Sequence, residues 1–172
     1  MIIWLNGGFG AGKTTLAGEL HRRIPEAVVY DPEDVGAMLW KWLPRNEDFQ
    51  DLASWRELVV ASALSLRRHH ADLLIVPMAL LRDAYREEIL GGLDAAGERV
   101  LHVFLDTAPQ VIRDRLEARA VSLGFTPDAA SWAIARLDPG AASKQPPGTV
   151  VLRSDRNSPA ALADAVVAAI PR

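Results

Sequence analysis

Cysteine is absent from this chain of 172 residues, which excludes a disulfide framework and fits a reducing compartment. Long apolar runs are also absent, since none approaches the roughly 18 residues of a membrane-spanning helix. No basic stretch precedes the apolar residues that begin at Ile2, so an export signal is not expected. We therefore expect a cytoplasmic protein without a transmembrane segment.

Lysine is scarce in the sequence. The chain has only three lysines, Lys13, Lys41 and Lys144, and its formal net charge is −3 at pH 7. This balance gives no general attraction to nucleic acid or to an anionic membrane. A hydrophobic content of 49% over 172 residues is enough for a sizeable core. We expect residues 1–172 to form a single domain, with no nucleic acid as partner.

Residues 7–14 have the sequence GGFGAGKT, which contains the pattern Gly-x4-Gly-Lys-Thr. An apolar run before it, at residues 2–5, predicts a buried strand, and apolar residues recur at helical spacing after it. Strand, loop and helix in this order are typical of a phosphate-binding P-loop, whose backbone N–H groups surround the phosphates. The pattern predicts the binding of nucleotide phosphates, with Lys13 on the β- and γ-phosphates and the Thr14 hydroxyl on Mg²⁺. The expected nucleotide-binding residues of this segment are Gly7, Gly8, Phe9, Gly10, Ala11, Gly12, Lys13, Thr14 and Thr15.

Short apolar runs alternate with amphipathic segments along the rest of the chain. The further strand candidates lie at residues 28–30, 73–76, 100–105 and 150–152, and each is followed by a helical pattern. Nearly continuous apolar strands separated by helices predict a parallel five-stranded sheet covered by helices on both faces, which is a three-layer α/β fold. A stretch rich in proline and glycine, residues 138–148, predicts a mobile connection before the last strand.

Ligands of such sheets bind at the carboxyl ends of the strands. Asp31 follows the second strand and is a candidate proton acceptor or substrate-orienting group. The same residue also suits a helix start, because Pro32 and Glu33 follow it. Met78 follows the third strand, which should end at Val76 because Pro77 cannot donate to a central ladder. No aspartate stands at that end for Mg²⁺, so the metal is expected to depend on Thr14, the phosphates, water and Asp31.

Arginines follow the fourth strand and could close over a nucleotide. Arg115 and Arg119 are four residues apart and share one helix face. We expect the segment at about residues 119–148 to form a small lid over the nucleotide. Arg119 is the candidate for stabilising the transferred phosphoryl group, and Arg115 for nucleotide binding. A solvated helix face is the alternative explanation of these arginines.

Three of the five tryptophans bear on the substrate site or the core. Trp42 lies on the apolar stripe that Val35 and Leu39 define, and is predicted to belong to the core. Trp40 lies off that stripe and is a candidate for stacking against a bound substrate, with partial burial on a neighbouring helix as the alternative. Apolar residues follow Trp55 at helical spacing, so Trp55 is predicted to pack in the protein interior.

Four stretches of the sequence together resemble one known protein family. They are residues 2–14 (IIWLNGGFGAGKT), 19–23 (ELHRR), 30–33 (YDPE) and 74–78 (LIVPM). Together they resemble the tunicamycin resistance protein family of ATP-binding P-loop proteins, closely over the first half of the chain. The resemblance implies a nucleoside-kinase-like P-loop NTPase fold with strand order 2-3-1-4-5. It also implies ATP as one ligand and a nucleoside antibiotic as the other.

Three functions remain open at this point. The first is an ATP- and Mg²⁺-dependent phosphotransferase acting on a small-molecule hydroxyl, with a tunicamycin-type nucleoside antibiotic as substrate and Lys13, Asp31 and Arg119 as catalytic residues. In this hypothesis Asp31, Trp40 and Met78 contact the substrate. The second is an ATP-dependent protein that sequesters the antibiotic without chemistry. The third is a nucleotide or nucleoside kinase of metabolism.

Overall fold

A five-stranded parallel sheet forms the centre of the computed structural model, which describes residues 1–138 and 140–171. The strand order is β2-β3-β1-β4-β5, as the resemblance implied. The strands are β1 Ile2–Gly7, β2 Val28–Val29, β3 Leu74–Pro77, β4 Val100–Asp106 and β5 Val150–Arg153. The order places β1, and therefore the loop that follows it, in the middle of the sheet.

Helices cover both faces of the sheet, so the predicted three-layer fold is confirmed. In the described chain they are α1 Lys13–Arg23, α2 Glu33–Leu39, α3 Ala53–His69, α4 Asp83–Ala95, α5 Pro109–Ser122, α6 Ser131–Ile134 and α7 Pro159–Ala169. Short 3-10 turns lie at Phe49–Asp51, Pro127–Ala130 and Ala141–Lys144.

The alternation of side chains along β1 divides the core into two halves. Ile2 and Trp4 are fully buried against α2, α3 and α4, whereas Ile3 and Leu5 are fully buried against α1 and α7. Because successive strand residues point to opposite faces, a strand covered on both sides has to be apolar throughout. The uninterrupted apolar runs in the sequence follow from this geometry.

Trp55 lies in the first half of the core, as predicted. Its side chain is fully buried, and its indole Nε1 donates to the backbone oxygen of Pro32 at 3.0 Å. This bond ties α3 to the start of α2, so the residues after β2 are held in place from the core side.

The prediction that the third strand ends at Val76 is wrong by one residue, because β3 continues to Pro77. The carbonyls of Leu73 and Ile75 accept hydrogen bonds from the β2 side, so by alternation the nitrogen of Pro77 faces that side too. β2 has already ended at Val29, and the missing N–H therefore costs no ladder bond there.

The segment predicted as a lid, residues 119–148, contains the end of α5, the helix α6 and two of the 3-10 turns. Its role as a lid stays a prediction, and residue 139 within it lies outside the described residues. Over the described ranges, no helix is both long and apolar enough to cross a membrane.

Candidate nucleotide and acceptor site

The loop between β1 and α1 has the backbone of a phosphate-binding loop. Gly10 and Gly12 have φ angles of 77° and 100°, which L side chains rarely adopt. A Cβ on Gly10 would also lie 3.1 Å from the side chain of Leu116. The loop leads directly into α1, which begins at Lys13. A helix N-terminus with free N–H groups attracts anions, so this end of α1 suits a phosphate chain.

Lys13 lies folded against its own loop. Its Nζ donates to the backbone oxygens of Gly7 and Gly8, each at 2.9 Å. Burial lowers the pKa of Lys13 to about 8, while the charges of Glu33 and Asp31 act in the opposite direction. The ammonium is therefore mostly protonated at pH 7 and available to a phosphate.

A cavity of about 510 Å³ opens over the loop and the start of α1. It brings together the predicted residues Phe9 to Thr15 with Arg115 and Arg119. Gly7 and Gly8 meet this site through the carbonyls that hold Lys13. Most of the predicted nucleotide residues thus line one space at the carboxyl end of β1.

The two predicted arginines differ in their surroundings. Arg115 donates to the backbone oxygens of Gly10 at 3.3 Å and Ser154 at 3.2 Å, so it links the P-loop to the end of β5. The Ser154 hydroxyl donates to Ala11 O at 2.7 Å, which reinforces that link. Arg119 lies one turn further along α5, is exposed, and lines the cavity. Arg119 is consequently the better placed of the two to contact a phosphate.

A second cavity, of about 430 Å³, lies beside the first, and we call it the acceptor pocket. The two cavities share Phe9 and Glu33 as walls. Trp40 and Met78, both predicted from the sequence to contact substrate, line the acceptor pocket. Its complete lining is Phe9, Glu33, Trp40, Glu47, Asp48, Phe49, Gln50, Met78 and Trp132.

Trp40 is half-buried and fixed by polar and aromatic neighbours. Its Nε1 donates to Asn46 Oδ1 at 2.9 Å, and its ring meets Phe49 edge-on at 5.3 Å between centroids. The guanidinium of Arg45 lies 5.5 Å from the centre of the Trp40 ring. These contacts hold the indole in place as one wall of the acceptor pocket.

The prediction that Trp42 belongs to the core is wrong, because its side chain is 70% exposed. The helix α2 ends at Leu39, and the Trp42 N–H donates to Leu39 O in a turn, at 3.0 Å. Helical spacing therefore no longer determines which way the side chain points. The apolar stripe of α2 does not extend to residue 42.

Two carboxylates at the start of α2 face different partners. Asp31 Oδ1 accepts from the Glu33 N–H at 2.9 Å, so the predicted helix-start contact is present. Among the described residues, neither cavity has Asp31 in its wall, whereas Glu33 lines both. The Glu33 side chain is exposed along the cavities, yet the surrounding protein partly buries its carboxylate and raises its pKa. The Asp31 charge raises this pKa further, and Lys13 and Arg119 oppose the shift.

Sequence reasoning missed several residues of the acceptor pocket, among them Glu33, Phe49 and Trp132. From the sequence, Glu33 is part of a helix start and of the YDPE stretch that carries the resemblance, with no predicted contact to substrate. Phe49 belongs to a 3-10 turn, and such turns have no periodic pattern that reveals which side chains point inward. Trp132 contacts Phe9 edge-on at 5.2 Å, a contact between segments more than 120 residues apart, as their numbers show. Only the residue type, a tryptophan within the predicted lid, was a usable signal.

The oxygen donors of the nucleotide cavity are compatible with Mg²⁺ carried by ATP. Across residues 1–138 and 140–171, no group of three or more His, Asp or Glu side chains is arranged to hold a metal by itself. Mg²⁺ usually takes one or two protein oxygens and completes its shell with phosphate and water. Thr14, on the wall of the nucleotide cavity, is the residue that would contribute here. Asp31, also expected from the sequence to help hold the metal, lines neither cavity among the described residues.

Comparisons with known proteins agree with this fold. A family model described as an AAA domain matches residues 2–137. A tunicamycin resistance protein of Deinococcus radiodurans has a similar structure, with a TM-score of 0.75 and 27% identity, over 97% of this chain and 93% of that one. This similarity confirms the resemblance inferred from the sequence. No curated protein matches the chain in sequence.

Two more distant structures support the fold alone. An APS kinase of Mycobacterium tuberculosis, in complex with AMPPNP and APS, has a TM-score of 0.72 at 22% identity, covering 98% of this chain and 96% of that one. A gluconokinase of Sinorhizobium meliloti has a TM-score of 0.63 at 16% identity, covering 97% of this chain and 89% of that one. The fold is thus shared with small-molecule kinases.

Proposed function

The chain belongs to the AAA domain family, and from this premise we propose that it is an ATP-dependent phosphotransferase acting on a small-molecule hydroxyl. The 27% identity to a tunicamycin resistance protein makes a nucleoside antibiotic of the tunicamycin type the first candidate substrate. The cytoplasm is the proposed location, because it supplies ATP. The proposed unit is a single domain spanning residues 1–172.

One observation carries this proposal: the nucleotide cavity and the acceptor pocket meet at Phe9 and Glu33. A phosphate chain on the loop would end beside this shared wall. A substrate in the acceptor pocket could place a hydroxyl against the same wall. Phosphoryl transfer requires mainly such positioning, together with stabilisation of charge.

In the proposed reaction the acceptor hydroxyl attacks the γ-phosphorus of ATP. Its oxygen forms a new P–O bond, the bond to the bridging oxygen breaks, and ADP leaves. Lys13 and Arg119 would stabilise the phosphate charge, and Arg115 would hold the loop against the end of β5. Mg²⁺, when bound with ATP, would neutralise phosphate charge from the side of Thr14.

The hydroxyl proton needs an acceptor, and two carboxylates are available. Asp31 is the candidate from the sequence and lies near enough to Lys13 to influence its pKa. Glu33 is favoured by its place on the shared wall and by its raised pKa, which suits a group that gains a proton. In this assignment Asp31 positions Glu33 through the hydrogen bond to its N–H.

Sequestration without chemistry is the second candidate function. It is favoured by the end of β3, where Val76, Pro77 and Met78 offer no carboxylate for a metal. A binder would still need ATP and the acceptor pocket, but no proton acceptor.

Mass spectrometry separates these two functions. The protein is incubated with ATP, Mg²⁺ and tunicamycin, and the drug and nucleotide are analysed. A kinase yields drug that is heavier by one phosphoryl group, together with an equal amount of ADP. Tight, ATP-dependent binding of unchanged drug would instead establish sequestration.

A further inference from the structure

The acceptor pocket has a composition that restricts its ligand. We infer that it takes a molecule that contains a flat ring and carries no phosphate, either neutral or cationic, with hydroxyl or amino groups as hydrogen-bond donors. Calling this molecule the phosphoryl acceptor rests on the proposed function. The preference of the pocket for a flat ring without negative charge does not rest on the proposed function. Binding measurements alone test it.

Acidic side chains supply all the formal charge on the pocket wall. Glu33, Glu47 and Asp48 line it, and no lysine or arginine does so among the described residues. A ligand phosphate would therefore meet carboxylates, and no cationic side chain of the pocket wall would pair with it. Ligand hydroxyl or amino groups would find acceptors in the same oxygens.

Several cations close to this pocket have other partners. Arg136 lies 3.7 Å from Glu47 and packs on the Trp132 ring, also at 3.7 Å. Arg45 lies over Trp40. Lys13 and Arg119 lie past Glu33 and line the nucleotide cavity, where ATP phosphates would engage them. None of these four cations lines the acceptor pocket.

Aromatic side chains define the shape of the pocket. Phe9 and Trp132 form one edge-to-face pair, and Trp40 and Phe49 form another. Met78, which is almost fully buried, supplies an apolar surface between them. Aromatic walls at fixed angles favour a flat ring over an open chain, and a volume of about 430 Å³ lies within the usual range for a drug-sized ligand.

This inference separates the chain from kinases that phosphorylate a nucleotide. Such a kinase has to hold an anionic acceptor, whereas the acceptor pocket of this chain presents three carboxylates. A metabolic kinase of nucleoside monophosphates is therefore the least compatible of the functions considered from the sequence.

Calorimetry with matched probes tests the inference. The protein is first saturated with AMPPNP and Mg²⁺, so that the nucleotide cavity is occupied, at a low salt concentration of about 50 mM that preserves electrostatic effects. Uridine, 5′-amino-5′-deoxyuridine and UMP are then titrated. We expect the amino compound to bind at least as tightly as uridine, and UMP to bind at least tenfold more weakly than uridine. UMP binding equal to or tighter than that of uridine, or no binding by any of the probes, overturns the inference.

A second binding test uses a variant in which amides replace two carboxylates of the pocket wall. The double substitution Glu47→Gln and Asp48→Asn removes two carboxylates from the pocket wall. It should preserve the fold, because the Glu47 side chain is 88% exposed. Asn can also replace Asp48 in accepting the hydrogen bond from the Gln50 N–H. The preference for uridine over UMP should shrink at least threefold. Glu57→Gln, at an exposed position on α3, is the control and should leave the preference unchanged. An unchanged preference in the double variant contradicts the electrostatic explanation.

The outcome is independent of the proposed chemistry. Discrimination against UMP without phosphoryl transfer would support sequestration and leave this inference intact. Transfer to a phosphate-bearing acceptor would support the proposed function and refute this inference.

Discussion

Lys13 is the side chain on which the proposed nucleotide binding depends most directly. Lys13→Ala removes the ammonium that the Gly7 and Gly8 carbonyls now hold and that the phosphates would take over. Hydrogen bonds from a charged group contribute roughly 1.5–3 kcal/mol, so the dissociation constant for ATP should rise by about tenfold or more. Calorimetry measures it, and Lys41→Ala, at an exposed position, is the control. Unchanged ATP affinity in Lys13→Ala would remove the basis of the proposed site.

Asp31 and Glu33 can be told apart with conservative amides. Asn caps a helix about as well as Asp, so Asp31→Asn preserves the hydrogen bond to the Glu33 N–H, and Glu33→Gln preserves the size of that side chain. If Glu33 accepts the proton, Glu33→Gln should lower kcat by roughly 10²-fold, and Asp31→Asn should lower it much less. A larger loss in Asp31→Asn would return the role to Asp31, as the sequence predicted. Melting temperatures verify that both variants fold.

The pH dependence of kcat/KM at limiting ATP follows from the same side chains. Activity should fall at low pH as Glu33, whose pKa is raised, becomes protonated and can no longer accept a proton. It should fall again above the Lys13 pKa of about 8, because the neutral amine no longer attracts phosphate. The profile is then bell-shaped. In Glu33→Gln the acidic limb should disappear; an acidic limb that persists unchanged would assign it to another group.

Trp40 and Trp42 form a natural pair for testing the acceptor pocket. Trp40→Ala removes a wall of the pocket and should raise the acceptor dissociation constant by roughly 10- to 100-fold, as expected for a lost stacking contact. Trp42→Ala should change neither binding nor stability appreciably, since that side chain is 70% exposed. Equal effects of the two substitutions on binding would argue against a wall role for Trp40.

The P-loop is the part of the candidate site that the sequence predicts most directly, because its glycines, Lys13 and Thr14 lie in one contiguous motif. The structure places residues 9–15 on the wall of one cavity, and their contacts with a nucleotide stay a prediction. Glu33 and Trp132 were missed because their role depends on how α2 and the segment around α6 are oriented over the sheet. No local pattern encodes that orientation.

Packing between α2 and the Phe49–Asp51 turn sets the shape of the acceptor pocket. Gly36 lies where a Cβ would come within 2.5 Å of the Phe49 ring. Gly36→Ala should therefore destabilise the protein by roughly 1–3 kcal/mol through overpacking, and weaken acceptor binding because Phe49 supports Trp40. Urea denaturation and calorimetry measure the two effects.

Gly91 provides the matched control for this test. It also lies within a helix, α4, but a Cβ there would meet nothing within 4 Å. Gly91→Ala should stabilise the protein by roughly 0.5–1 kcal/mol through helix propensity alone. A stabilising effect of Gly36→Ala as well would show that Phe49 moves away freely.

Strands and helices differed in how well the sequence predicted them. The strands were predicted because burial on both faces requires continuous apolar residues. The end of α2 was not predicted, because apolar residues continue at helical spacing past Leu39 in the sequence. In the structure the backbone turns after Leu39, and the helix ends there. Trp42 was therefore assigned to the core, although it points to solvent.

A buried polar network joins the sheet beneath the whole site. Asn6 Nδ2 lies 3.2 Å from His102 Nε2, and His102 Nδ1 lies 3.0 Å from the Thr149 hydroxyl. Asn6 Oδ1 also accepts from the N–H groups of Gly7 and Leu80, at 2.7 and 2.8 Å. The network therefore connects β1 with β4, with the residues after β3 and with the entry to β5. A neutral imidazole that accepts from Asn6 and donates to Thr149 satisfies all of these contacts.

This network makes stability depend on pH. Burial lowers the pKa of His102 to about 4, and the Arg86 charge adds to the shift. The folded protein then binds fewer protons than the unfolded chain, whose histidine has a pKa near 6.5. The contribution of His102 is complete above about pH 6.5 and is lost as the pH falls toward 4.

Denaturation with urea at several pH values measures this loss. The free energy of unfolding should decrease between about pH 6.5 and 5, where few carboxylates titrate. In His102→Gln the dependence over this interval should be much smaller, even though the variant is less stable overall. The same slope in both proteins would exclude His102 as its cause.

The contact between Phe9 and Trp132 would make the binding of the two proposed ligands thermodynamically interdependent. Phe9 belongs to the loop that would hold the nucleotide, and its ring is also a wall of the acceptor pocket. Any ordering of that loop by ATP alters the free energy of placing the second ligand. By linkage, the factor by which ATP changes acceptor affinity must equal the factor by which the acceptor changes ATP affinity. The proposed substrate would then help to set how tightly the protein retains its nucleotide.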